Sequence, residues 1–143
     1  MADMDGDGRY EIAVGSWDGR MYVWDDRGGL LSGWPVTVAD QIISSAALVD
    51  LDEDGLLDVV VGSKDGKLYG WTAKGEPLGG FPYALGAPVF SSPWVGDVDG
   101  DGLADVVVGA DNGIHILRDV GPLGRADWPM FRRDAANSGC VRP

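Results

Sequence analysis

Three stretches of the chain carry carboxylates at a spacing suited to gripping a cation. They read DMDGDGRYE from Asp3, DLDEDGLLD from Asp50 and DVDGDGLAD from Asp97. Numbering each loop 1 to 9, position 1 is Asp3, Asp50 or Asp97, and position 3 is Asp5, Asp52 or Asp99. Position 5 is Asp7, Asp54 or Asp101, and position 9 is Glu11, Asp58 or Asp105. Carboxylates on alternate residues point several oxygens at one place. A glycine at position 6 (Gly8, Gly55, Gly102) allows the bend that returns position 9 to it. The main-chain carbonyl of position 7, from Arg9, Leu56 or Leu103, would complete a shell of roughly six or seven oxygens. That is hard-cation chemistry, and it favours Ca²⁺ over the tighter, wetter octahedron of Mg²⁺. We therefore expect about three Ca²⁺, one per loop.

Charge supports this expectation. Positions 1, 3, 5 and 9 of the loops hold twelve of the chain's 23 acidic residues, and the net charge is −12. Four carboxylates crowded together repel strongly unless a cation lies among them. An EF-hand is excluded by spacing. It needs a bidentate Glu at position 12, where this chain has Val14, Val61 or Val108, and it needs flanking helices. The position-9 carboxylate is the closing ligand instead.

The loops must be held by something, and the chain is a repeat. Position 1 recurs every 47 residues. So do VGSWDG at Val14, VGSKDG at Val61 and VGADNG at Val108, and the pairs Trp34-Pro35, Phe81-Pro82 and Trp128-Pro129. Each unit reads as four short strands. In the middle unit these are the apolar run ending at Asp50, the β-branched run DVVVG (58–62), the run KLYGW (67–71) and an outer strand near GFPYAL (80–85). Continuous β-branched residues indicate a strand buried on both faces. Asp18-Gly19, Asp65-Gly66 and Asn112-Gly113 suggest two-residue type I′ hairpins. No segment has helical periodicity. The fold class is all-β, with three 47-residue four-stranded β-propeller blades in an incomplete or oligomer-closed propeller. A single propeller-type domain spans 1–143. Its units lie at about 1–41 (first strand missing), 42–88 and 89–126, followed by a closing or capping segment at 127–143.

D-x-D-x-D-G-x-x-[DE], followed by an apolar strand and VG[SA], resembles the FG-GAP (integrin α-type, VCBS-like) calcium-binding propeller repeats. VFSSPWVGDVDGDGLADVVVGA (89–110) is especially similar to that family's strand–loop–strand core, and Gly86-Ala87-Pro88 echoes its name. The resemblance covers nearly the whole chain. It implies one Ca²⁺ per loop between the first two strands of a blade, held by the positions named above. The tail DWPMFRRDAANSG (127–139) resembles segments that end secreted bacterial propeller proteins.

Other features narrow the function. The acidic surface repels phosphate backbones and anionic lipids, so neither nucleic acid nor a membrane surface is an expected partner. No apolar run reaches the length of a membrane span. The single cysteine, Cys140, rules out an intrachain disulfide and reads as a structural or incidental thiol. His115, the only histidine, has no recognisable catalytic partner and reads as a packing or surface residue. Ser44-Ser45 and Ser91-Ser92 follow the repeat and read as architectural, as do Trp24, Trp71, Trp34, Phe81 and Trp128. Trp17 and Trp94 break the repeat; both are expected to pack.

Calcium modules of this kind bind at about 10⁻⁴–10⁻³ M, so the sites fill outside the cytosol. That places the chain in an extracellular, periplasmic or cell-surface setting, although no signal peptide is evident. Three blades do not close a propeller, which typically has four to eight. Either a longer chain or a second copy, as in a homodimer, supplies the rest. The expected function is a non-enzymatic module whose calcium is structural and which binds a protein or glycan in adhesion. The alternative is a C-terminal piece of a secreted propeller enzyme, such as a polysaccharide lyase or dehydrogenase.

Overall fold

A computed structural model describes residues 1–130. It contains ten strands and, among the described residues, no helix. The strands are β1 (Ile12–Gly15), β2 (Arg20–Trp24), β3 (Val36–Thr37), β4 (Ala47–Val49) and β5 (Asp58–Gly62). They continue with β6 (Lys67–Trp71), β7 (Tyr83–Ala84), β8 (Trp94–Gly96), β9 (Leu103–Ala110) and β10 (Gly113–Pro122). They form three antiparallel, blade-like sheets: β1-β2-β3, β4-β5-β6-β7 and β8-β9-β10. Among the described residues, only the middle unit has the full four strands. In the first sheet the place of an inner strand is marked by a single bridge, Ala2 to Glu11.

Apolar layers join the sheets. Val59, Val60 and Val61 of β5 are all fully buried, as expected of an uninterrupted β-branched run. Val59 and Val61 face the first sheet and pack with Met21, Val23 and Ile42. Val60 faces the third and packs with Leu68, Val89, Val106 and Val108. Each such side chain contributes about 1.5–3 kcal/mol on burial. The glycine of VG[SA] belongs to this contact. A Cβ on Gly15 would lie 2.1 Å from Ile42 Cγ2, and one on Gly62 would lie 2.2 Å from Val89 Cγ1. The motif thus lets the next unit's leading residue press against the strand.

The hairpin tips differ from the sequence expectation. In the first two units Gly19 N and Gly66 N donate to Ser16 O and Ser63 O. Only the glycines take positive φ (77° and 85°), so Asp18 and Asp65 do not form type I′ turns. The third hairpin is one residue tighter: Ala110 pairs with Gly113, and Ile114 with Gly109. This slides β10 by one residue relative to β2 and β6, whose strands pair Gly15 with Met21 and Gly62 with Leu68.

Among the described residues, the third unit also has no outer strand. In the first two units the chain turns away from β2 and β6 through Gly28 and Gly75, with φ of 80° and 76°. The 47-residue step puts Pro122 at this point. Proline's ring holds φ near −65°, so the turn cannot form. β10 instead runs on beside β9, with a register shift between Leu117 and Gly121. The following segment crosses to the inner edge of β4. There Leu48 N donates to Trp128 O, Trp128 N to Leu48 O and Asp50 N to Arg125 O, at 2.8, 3.2 and 2.7 Å. Val95 N of β8 donates to Pro129 O. Trp128-Pro129 therefore does not repeat the placement of Trp34-Pro35 and Phe81-Pro82. The remainder of the expected closing segment, with Cys140, lies outside the described residues.

Candidate metal centres

Each acidic loop joins an inner strand, or its remnant, to the strand that follows. The position-9 carboxylate closes it. Glu11 Oε2, Asp58 Oδ2 and Asp105 Oδ2 accept the N–H of Met4, Leu51 and Val98 at 2.7, 2.8 and 2.9 Å. The position-1 carboxylate folds the loop over itself. Asp3 accepts from Gly6 and Gly8, Asp97 from Gly100 and Gly102, and Asp50 from Gly55. Position 5 orients position 7, because Asp7, Asp54 and Asp101 accept the N–H of Arg9, Leu56 and Leu103, each at 2.8 Å.

Three carboxylates converge in each loop, with one oxygen of each within 4.8 Å of the others. In the first loop these are Asp3, Asp5 and Glu11, and in the second Asp50, Asp52 and Asp58. Positions 1, 3 and 9 therefore meet as expected, while Asp7 and Asp54 stand outside the cluster. In the third loop the set is Asp97, Asp99 and Asp101, without Asp105.

The second loop is the most enclosed. Gly124 N donates to Asp50 O, and a Cβ on Gly124 would lie 2.8 Å from Asp50 Oδ2. A Cβ on Gly121 would lie 2.4 Å from Leu51 O. The crossing segment thus covers the loop's two ends and leaves Asp50 4% and Asp58 1% exposed, while Asp52, Glu53 and Asp54 between them stay exposed. Asp50 Oδ1 and Asp58 Oδ1 are buried with no hydrogen-bond partner. Burial is the main reason the Asp58 carboxyl is pushed up to about 7. The Leu51 N–H opposes it, and the charges of Asp52, Asp54 and Asp50 add to it. Burial likewise raises Glu11. Asp97 is held below the usual carboxylate range by the N–H groups of Gly102 and Gly100. Two buried, orphaned carboxylate oxygens in an acidic cluster that opens to solvent at Asp52 are what a hard cation satisfies, so the residues fit a metal ion.

Sequence reading missed Arg118. It stands one repeat step from Trp71 and two from Trp24. Its Nη1 contacts Asp99 Oδ2 and lies 3.7 Å from Asp105 Oδ2. The visible signal was a cation where the repeat has tryptophan.

The other candidates fall as follows. Ser44 Oγ accepts from Gly62 N and donates to Gly62 O, and Ser91 Oγ does the same with Gly109. These serines are architectural. Trp24 and Trp71 stack on Tyr22 and Tyr69, and Trp34 meets Trp71 edge-on while its Nε1 donates to Ala73 O. Trp94 is partly buried. Trp17, expected to pack, is 72% exposed at a hairpin tip. Its side chain leaves the strand before the sheets can cover it. His115 Nε2 lies 2.7 Å from Asn112 Oδ1.

No curated protein matches the chain as a relative. The family model for the FG-GAP-like repeat matches it twice, over residues 3–61 and 50–108. Each match runs from position 1 of one acidic loop through the buried strand of the next unit. On this repeat, with its loop and its blade-like sheets, the chain is a propeller-like module and belongs to the FG-GAP-like repeat family.

Proposed function

We propose that the chain is a calcium-stabilised binding module, with no catalytic role, working outside the cytosol. The observation that carries the calcium reading is the pair of buried, unpartnered oxygens, Asp50 Oδ1 and Asp58 Oδ1, within the second acidic cluster. Asp50, Asp52 and Asp58 would hold the ion there, and Asp3, Asp5 and Glu11 in the first loop. The ion would supply positive charge to a corner between two strands, offset carboxylate repulsion and fix the inner strand to the buried one. Thermal melting tests this. Stripping divalent cations should lower the melting temperature, millimolar Ca²⁺ should restore it, and Mg²⁺ should restore it less. An unchanged melt would refute the calcium reading.

For the ligand side, Trp17 supports a glycan or protein contact. Its exposed ring lies beside Asp18, Asp40 and Gln41 around an open hollow of about 250 Å³. An aromatic face flanked by carboxylate and amide groups suits a sugar ring. Binding on a glycan array that survives Trp17→Ala would reject this site. The outward face of β1 supports a further blade as a neighbour. Ile12 and Val14 are 41% and 44% exposed, although their counterparts Val59, Val61, Val106 and Val108 are buried between sheets. A longer chain or a second copy would cover them. Light scattering distinguishes the two, since a discrete dimer requires the second copy.

A further inference from the structure

Resting on the metal reading above, we infer that Arg118 is a tethered cation in the third acidic loop, so that the three loops take divalent cations unequally. The second loop presents two buried carboxylate oxygens with no partner. In the third, the buried closing carboxylate is already served. Asp105 Oδ2 accepts from Val98 N and faces Arg118 Nη1 at 3.7 Å, and its Oδ1 accepts from Asp119 N at 3.1 Å. The same Nη1 contacts Asp99, a member of the converging carboxylate set. A guanidinium there partly neutralises the charge that would draw in a metal ion, and it occupies oxygens that would coordinate one.

Two local sequence changes make this arrangement. The tight Ala110–Gly113 hairpin slides β10 by one residue, which turns Arg118 toward Asp105. Tryptophan at the matching positions, Trp24 and Trp71, stacks on tyrosine instead and offers no charge. Among the described residues, no arginine or lysine forms an ion pair with a converging carboxylate of the first or second loop: Arg9 reaches Asp7 and Asp26, neither in a converging set, and Arg125, though it feels the charge of Asp3, pairs with Asp127. The third corner is thus held by an internal ion pair and the other two by metal. Ca²⁺ enters the third loop only by displacing Arg118, and at higher concentration.

Calcium titration of the full chain, followed by calorimetry with equilibrium dialysis for stoichiometry, tests this. Wild type should take up two ions together and a third about fivefold more weakly. Arg118→Gln should tighten the third by about that factor and leave the other two unchanged, while Arg118→Lys, which keeps the charge, should leave it weak. Three equal ions in wild type would overturn the inference, as would a third constant unmoved by Arg118→Gln. These outcomes leave the metal reading intact. No uptake by any loop would overturn that reading and this inference together. The wild-type titration alone decides the point if a variant fails to fold.

Discussion

Stripping divalent cations should make the stability of this chain depend on pH through Asp58. The side chain is 1% exposed, and burial first, then the neighbouring Asp charges, push it up to about 7 from the usual 3.8. In the metal-free folded chain the group therefore keeps a proton that the unfolded chain releases between about pH 4 and 7. Native protons exceed unfolded protons throughout that window, so stability falls as pH rises through it. A shift of about three units at 1.36 kcal/mol each sets a ceiling of about 4 kcal/mol. At roughly 3 °C per kcal/mol, that is on the order of 10 °C in Tm. A bound Ca²⁺ pairs with the ionised carboxylate and cancels the loss. The assay is thermal melting by circular dichroism of protein stripped on chelating resin, with and without added Ca²⁺, from pH 5 to pH 8. The gap between the two curves should be small at pH 5 and large at pH 8. Asp58→Asn cannot titrate, so its stripped form should keep only the smaller net slope of the other shifted carboxylates, with Glu11 and Asp119 raised in the same sense and Asp18 and Asp97 lowered in the opposite one. Stripped wild type melting at one temperature across the range would refute the reasoning. So would a full slope in Asp58→Asn.

Three substitutions test the architecture. Ser44→Ala leaves both polar groups of Gly62 without their hydroxyl partner and should cost about 1–3 kcal/mol in urea unfolding. Gly62→Ala drives a methyl into Val89, which has no free space, and should cost about 2–3 kcal/mol by the same measurement. Glu53 takes φ of 61° where the other loops place Gly6 and Gly100, so Glu53→Gly should raise stability by up to about 1 kcal/mol, read as a higher unfolding midpoint.

The 47-residue step made much of the molecule legible. It located the acidic loops, the buried β-branched strands and the bracing serines, because each depends on neighbours within one unit. The convergence of positions 1, 3 and 9 in the first two loops was legible for the same reason: local backbone geometry fixes it. The hairpin type was misread because Asp-Gly fits two turn classes, and strand register chooses between them. The third unit departed from the pattern at two residues that were visible but unremarked. Pro122 stands where a turn requires positive φ, and Arg118 stands where the repeat has tryptophan.

By itself the sequence determined the unit: its strands, its loop, its carboxylates and the glycine that lets the next unit approach. These follow from residue type and spacing over a few neighbouring positions. Only the tertiary structure decided how the three loops differ. The segment that Pro122 releases from the third sheet crosses to β4 and buries the two ends of the second loop, while the shifted β10 carries Arg118 into the third. Desolvation and the placement of a counter-charge depend on what packs against a loop from far along the chain, so three nearly identical motifs acquire three different electrostatic environments.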